Sequence, residues 1–230
     1  MPPSGRRVAA SRELLALGDP SVETPTLTAA RSRLRAPALG ALPDAAKEAR
    51  AIGKLYENAQ VRVGREANES AFKSEAEPYR VLHLAAHSIV DDGAPMFSSI
   101  VLAASGRDQL EDGLLEAREI ADLKLHADLA VLSGCETARG RVTPGEGMVG
   151  LSWAFLAAGV PTTVVSQWKV GSESTAPLMI AFHRHLRTGA PPAAALRLAM
   201  LELRRDSRWR HPFYWAPFVV VENRAGATIH

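Results

Sequence analysis

The sequence predicts an α/β fold built on a mostly parallel sheet with helices on both faces. Three observations carry that expectation. Apolar runs of strand length alternate with stretches of helical period along most of the chain. The central runs, Tyr79 to His87, Ala127 to Cys135 and Thr162 to Trp168, are apolar almost throughout, as strands buried on both faces are. The chain has 230 residues, 47% of them hydrophobic, which suffices for one sizeable core.

Taken in order, residues 1–13 are rich in Pro, Ser, Gly and Arg and read as a disordered tail, with 14–225 as a single domain. Leu14 to Gly18 is a short apolar run closed by Asp19-Pro20, a first strand. Residues 19–42 carry Pro20, Pro25 and Pro37 with no sustained period and read as a loop. Pro43-Asp44 opens a helix to about Tyr56, with Ala46, Ala49, Ile52 and Leu55 at helical spacing. Val61 to Val63 alternates as a strand does, and Asn68 can cap a helix over 69–76. After the Tyr79 run, Ser98 to Ala104 reads as another strand, and 116–124 as a short helix. Gly134 stops the Ala127 strand, and the polar segment 136–146 reads as a loop. Met148 to Ala158 forms an apolar helix closed by Gly159. The Thr162 strand follows, then helices over 173–187 and 191–205, and a last strand from Pro217 to Glu222.

Composition narrows the function. Lys+Arg 27 against Asp+Glu 25 leaves a formal charge of +2, and no basic run resembles a nucleic-acid arm. Cys135 is the single cysteine, so no internal disulfide forms, which points to a reducing, cytoplasmic compartment. No apolar run reaches the ~18 residues of a membrane helix, and Met1 to Arg7 lacks the apolar core of a signal peptide. Neither nucleic acid nor membrane is an expected partner, and no metal or cofactor is expected.

Ligands of such a sheet bind beyond the carboxyl ends of its strands. Two reactive side chains fall there, His87 and Cys135. If their strands are parallel neighbours, the ends lie ~5 Å apart in strand spacing. An imidazole that accepts a thiol proton would then stand beside a nucleophile. The plainer alternative makes Cys135 a small core residue and His87 a structural one. His83 and His87 are not expected to share a metal, because on a strand their rings stand ~13 Å apart. His183 and His185 point to different faces of a helix and are expected at the surface. Gly145 to Gly150 fits G-x-G-x-x-G, but no strand precedes it directly and no acid ends the next strand, so close helix packing is the plainer reading. Gly150-Leu151-Ser152-Trp153-Ala154 lies within a helical period and makes a poor nucleophile elbow.

Several segments together resemble a known family. VLHLAAHS around His87, LSGCETARG around Cys135, GEGMVGLSWAFLAAG, VVSQWKV, the helix start Pro192 to Leu196 and HPFYWAPFVVV are similar to CHAT domains, of the caspase-like clan of cysteine peptidases. The two residues stand 48 apart in sequence, close to the ~50 of caspases. The resemblance covers about Leu14 to Glu222. It implies a caspase-like αβα sandwich with a mostly parallel central sheet. It also implies an endopeptidase that cleaves a protein substrate after a specific P1 residue, with His87 as base and Cys135 as nucleophile. The oxyanion donors it implies are the backbone N–H groups of Ser88 and Cys135. Ser133 would line the P1 side-chain pocket. Ser166, Gln167, Trp168 and Lys169 would form the strand beside which substrate lies extended, with Glu173 close by.

Ser88 stands where the family usually has glycine, and Gly171 and Ser172 stand where it often has acids. With Glu173 the one carboxylate nearby, a neutral P1 residue is expected. CHAT domains commonly follow tetratricopeptide repeats, which this sequence lacks. Activation by a partner or ligand that orders residues 136–146 is expected. The rival readings are a catalytically silent CHAT scaffold and, behind it, a nucleotide-binding α/β domain.

Overall fold

The computed structural model describes residues 11–22, 28, 39–91, 93–105, 111–134 and 146–223, with 146–149 as helical backbone alone. Its strands are β1 (Arg12–Pro20), β2 (Ala59–Gly64), β3 (Tyr79–Ala85), β4 (Ser88–Ile89), β5 (Ser99–Val101), β6 (Leu114–Glu116), β7 (Leu129–Leu132), β8 (Thr162–Ser166) and β9 (Phe218–Glu222). Its α-helices are α1 (Pro43–Gly53), α2 (Glu69–Glu75), α3 (Ala117–Asp122), α4 (Glu146–Ala157), α5 (Ser172–Arg187) and α6 (Pro192–Leu203).

Six strands form the middle layer in the order β2-β1-β3-β7-β8-β9. All neighbours pair in parallel except the last, where β9 runs antiparallel to β8. Strand periodicity divides the core in two. Leu15, Leu17, Leu82 and Leu84 face one side, packed with residues of α2, α3 and α4. Leu14, Ala16 and Val131 face the other, packed with residues of α1, α5 and α6. This is the α/β sandwich that the apolar runs predict, since a parallel sheet must be covered on both faces.

Local chemistry sets the helix positions. Pro43 begins α1, where its missing N–H is no loss. Gly18 lets α1 lie directly on β1: a Cβ there would stand 2.5 Å from the Ala45 carbonyl oxygen. Asn68 caps α2, its Oδ1 accepting the Ala71 N–H at 2.8 Å. Gly150 brings α4 against Pro95, whose carbonyl oxygen would lie 3.0 Å from an added Cβ. That close approach supports the packing reading at Gly150.

Three features differ from the sequence-based expectation. Ser98 to Ala104 does not join the main sheet; its core, β5, is the middle of a separate antiparallel sheet, β4-β5-β6. Strands β4 and β6 have two and three residues, too few to leave a period in the sequence. Strand β3 ends at Ala85, two residues before His87. Strand β8 ends at Ser166, because the Ser166 hydroxyl donates to the Trp168 carbonyl at 2.7 Å and bends the chain.

Candidate active site

The site lies beyond the carboxyl ends of β3 and β7, the two central parallel neighbours. Their pairing continues past β7, where the Ser133 N–H donates to the Leu84 carbonyl at 3.1 Å. Gly134 then packs against Ala86. A Cβ at Gly134 would stand 1.5 Å from the Ala86 carbonyl oxygen, so glycine alone permits this approach. His87 follows Ala86. Its carbonyl accepts the Val101 N–H at 2.8 Å, which ties the residue to the small sheet. His87 and Val101 therefore stand at a bonded position of the β4–β5 ladder, and Ser88, opposite Ile100, occupies the alternate, non-bonded pair. The Ser88 N–H is thereby turned away from β5.

The half-buried His87 has a defined tautomer. Its Nε2–H donates to the Gly40 carbonyl at 2.8 Å, which leaves Nδ1 as the proton acceptor. The Gly40 segment is itself held. Asp19 sits at the end of β1 with φ 48°, in the left-handed region, and its carboxylate accepts the Leu42 N–H at 2.6 Å. Burial holds the His87 imidazole below its ordinary value of 6.5; Lys169 acts in the same direction, while the Gly40 bond and Asp19 oppose it. The ring is therefore neutral near pH 7, as a base must be.

A cavity of about 230 Å³ opens beside His87, lined among others by Gly40, Glu48, Ser133, Gly134, Lys169 and Thr175. Glu48 is 2% exposed and projects from α1. Behind it runs a chain of buried polar groups. Tyr56 Oη lies 2.8 Å from His183 Nδ1, His183 Nε2 lies 3.2 Å from His83 Nδ1, and His83 Nε2 lies 2.9 Å from Glu48 Oε1. Ser133 Oγ is 3.4 Å from the same His83 nitrogen. Burial pushes the Tyr56 hydroxyl up to about 12, which keeps it a donor. Burial, with His83 beside it, holds His183 far below its ordinary value, so it is neutral. With Tyr56 as donor to His183, one consistent order runs from the phenol through both imidazoles to the Glu48 carboxylate.

His183 is thus a correction: expected at the surface, it is fully buried, four residues after Met179 on the apolar stripe of α5. His185 is half-buried, with its Nε2 3.4 Å from Glu202.

The remaining predicted residues are spread more widely. Ser133 is buried on the cavity wall, and Lys169 is exposed at its rim. Ser166 is buried at the end of β8. Gln167 donates its N–H to the Pro217 carbonyl at 3.0 Å, and the Trp168 indole donates to the Phe213 carbonyl at 3.1 Å, so both tie this bend to the chain around β9. Glu173 is exposed at the start of α5, with its carboxylate turned back over Gly171 and outside the cavity lining. Cys135 and the loop 136–145 lie outside the described residues. Among the described residues, no group of three His, Cys, Asp or Glu is placed to hold a metal ion, and no helix is long and apolar enough to cross a membrane.

Sequence reasoning missed Glu48 and Asp19. Glu48 had a readable signal: it falls three residues after Ala45 and four before Ile52, on the buried stripe of α1. Asp19 had none, because its role depends on a left-handed backbone and on a partner 23 residues away.

Comparison with known proteins adds two findings. A family model described as a CHAT domain matches residues 2–223. Over 112 residues, 49% of this chain, the sequence is 37% identical to tetratricopeptide repeat protein 28 of Mus musculus. The same protein of Homo sapiens is 34% identical over 112 residues. The matched stretch spans 4% of the length of these curated relatives.

Proposed function

The chain belongs to the CHAT-domain family, and from that premise we propose that it is a cysteine endopeptidase with His87 as base and Cys135 as nucleophile. One observation carries the reading. Gly134 abuts Ala86 at a distance that only glycine allows, and Cys135 and His87 are the residues that follow each of them. The contact of Gly134 with Ala86 thus supports a pairing of the two residues that come next in sequence.

The chemistry follows from the tautomer. His87 Nδ1 takes the thiol proton, and the thiolate attacks the scissile carbonyl carbon. The N–H groups of Ser88 and Cys135 receive the oxyanion. The imidazolium returns its proton to the leaving amine, and water, deprotonated by the same nitrogen, hydrolyses the thioester. Ser133 lines the P1 pocket in this reading. The segment Ser166 to Lys169, with Glu173 next to it, borders the substrate. The matched relatives are tetratricopeptide repeat proteins by name, which supports a tetratricopeptide-repeat segment as the regulatory partner. The proposed setting is the cytoplasm, where the Cys135 thiol stays reduced.

The test is cleavage of a peptide library by the wild-type chain, Cys135→Ala and His87→Ala, with and without a tetratricopeptide-repeat partner. Cys135→Ala should abolish cleavage, and His87→Ala should lower it by at least ~10²-fold. Cleavage at the wild-type rate in either variant would overturn the assignment. A chain that cleaves nothing and takes up no thiol-directed probe at Cys135 would point instead to a silent scaffold.

A further inference from the structure

The cavity beside His87 has a charge that the proposed reaction does not use. Glu48 is 2% exposed, and among the described residues its ion-pair neighbour is a histidine. The hydrogen-bond chain behind it delivers a neutral donor. If Tyr56 donates to His183 and His183 to His83, then His83 can only offer its Nε2–H to Glu48. That order leaves the Glu48 carboxylate held by a neutral donor on the wall of the cavity.

Such a carboxylate is incomplete. An unpaired buried charge is costly, and His83 occupies one of about four acceptor positions on the carboxylate. Among the described residues the one Lys or Arg of the lining is Lys169 at the exposed rim, so the buried end of the cavity suits a cation that arrives from outside. Its volume, about 230 Å³, falls below the roughly 300–1,000 Å³ of sites for whole small molecules and suits a single long side chain. His87 and Gly134 line the same cavity, so a side chain seated there belongs to the residue at the scissile bond. Lys169, exposed at the rim, is the other charge in the lining, and Glu48 lies within, among Ser133 and Thr175.

We infer that Glu48, oriented by His83, His183 and Tyr56, is the specificity-determining residue of the P1 pocket and selects a substrate with Arg or Lys at P1. The inference rests on the peptidase reading. A guanidinium matches a carboxylate with two parallel hydrogen bonds, so Arg is favoured over Lys. The expectation of a neutral P1 residue considers positions 133 and 171–173; Glu48 enters from α1, some 85 residues before Ser133 in sequence.

Two measurements on the full chain separate the inference from the reading beneath it. The first is the wild-type cleavage profile across P1. Arg or Lys should exceed the best neutral residue by at least ~10-fold in kcat/KM, the scale of one charge-assisted contact, and Glu48→Gln should remove that preference. The second is calorimetric binding of benzamidine, with benzamide as neutral control, to Cys135→Ala, which needs no turnover. Benzamidine should bind at least ~10-fold more weakly once Glu48→Gln is added, and benzamide should be indifferent to that change. Cleavage led by neutral P1 residues would overturn the inference and leave the peptidase intact. Benzamidine binding that ignores Glu48→Gln would overturn it as well. Benzamidine binding that depends on Glu48, in a chain that cleaves no peptide with or without the repeat partner, would support the cation-binding pocket and overturn the peptidase.

Discussion

Replacing Gly134 by alanine strains the contact on which the site depends. The added carbon would stand 1.5 Å from the Ala86 carbonyl oxygen and 2.6 Å from its carbonyl carbon, where ordinary contact begins at 3.4 Å. Both atoms are backbone, so no side chain can rotate away, and the two segments must part by about 2 Å in a close-packed interior. That movement breaks the bond from the Ser133 N–H to the Leu84 carbonyl. Overpacking costs about 1–3 kcal/mol and a lost backbone bond about 1 kcal/mol. The expected destabilisation is about 3 kcal/mol. At ~2–4 °C per kcal/mol for a chain of this size, calorimetry should record a fall in Tm of roughly 6–12 °C. Displacing a reacting pair by ~1 Å costs ~10²-fold in rate, so peptide hydrolysis measured well below the new Tm should drop at least that far. A variant that melts within about 2 °C of wild type would refute the contact itself. A destabilised variant with undiminished turnover would refute its link to the dyad.

Two further expectations concern pH. Burial and Lys169 both lower His87, so the acidic limb of kcat/KM should lie below pH 6.5, and Lys169→Met should move it to higher pH; a limb that stays or moves down contradicts the placement of Lys169. His183, held far below 6.5, binds fewer protons folded than unfolded once the pH drops beneath that value. Folding stability should therefore be full above pH 6.5 and decline as pH falls below it, by up to about 1.4 kcal/mol per pH unit for one proton. Denaturant titrations between pH 5 and pH 7.5 should show a flatter slope for His183→Gln, and an equal slope would place the titration elsewhere.

The parts of this protein that sequence reveals are those whose cause is local or periodic. Leu14 to Leu17 alternate between two cores, and their uninterrupted hydrophobicity announces a strand covered on both sides. His87 is legible because a polar residue ends an apolar run, and Asn68 because a cap is a local event. Glu48 and His183 are harder to read, for the opposite reason, although their helical positions carry a signal. Each lies on the buried stripe of its helix, yet a carboxylate and an imidazole in an amphipathic pattern read as solvated. Their burial makes sense only once α1 and α5 pack together, which joins Tyr56 to His183 across 127 residues. The strands β4 and β6 are too short to carry a pattern, and only their pairing with β5 defines them.

The long reach of that hydrogen-bond chain has a consequence for biosynthesis. Within this sequence Tyr56, Glu48, His83 and His87 are synthesised before His183, which follows Tyr56 by 127 residues. At ~5–20 residues per second, the link that orients Glu48 reaches the growing protein roughly 6–25 s after Tyr56. Until α5 has been made and has docked, His83 has no donor behind it and the wall of the cavity formed by Thr175 is missing. A nascent chain therefore holds an imidazole and a carboxylate without a finished cleft around them. If the proposed peptidase reading holds, the order of translation withholds a finished cleft from the proposed base until α5 has docked.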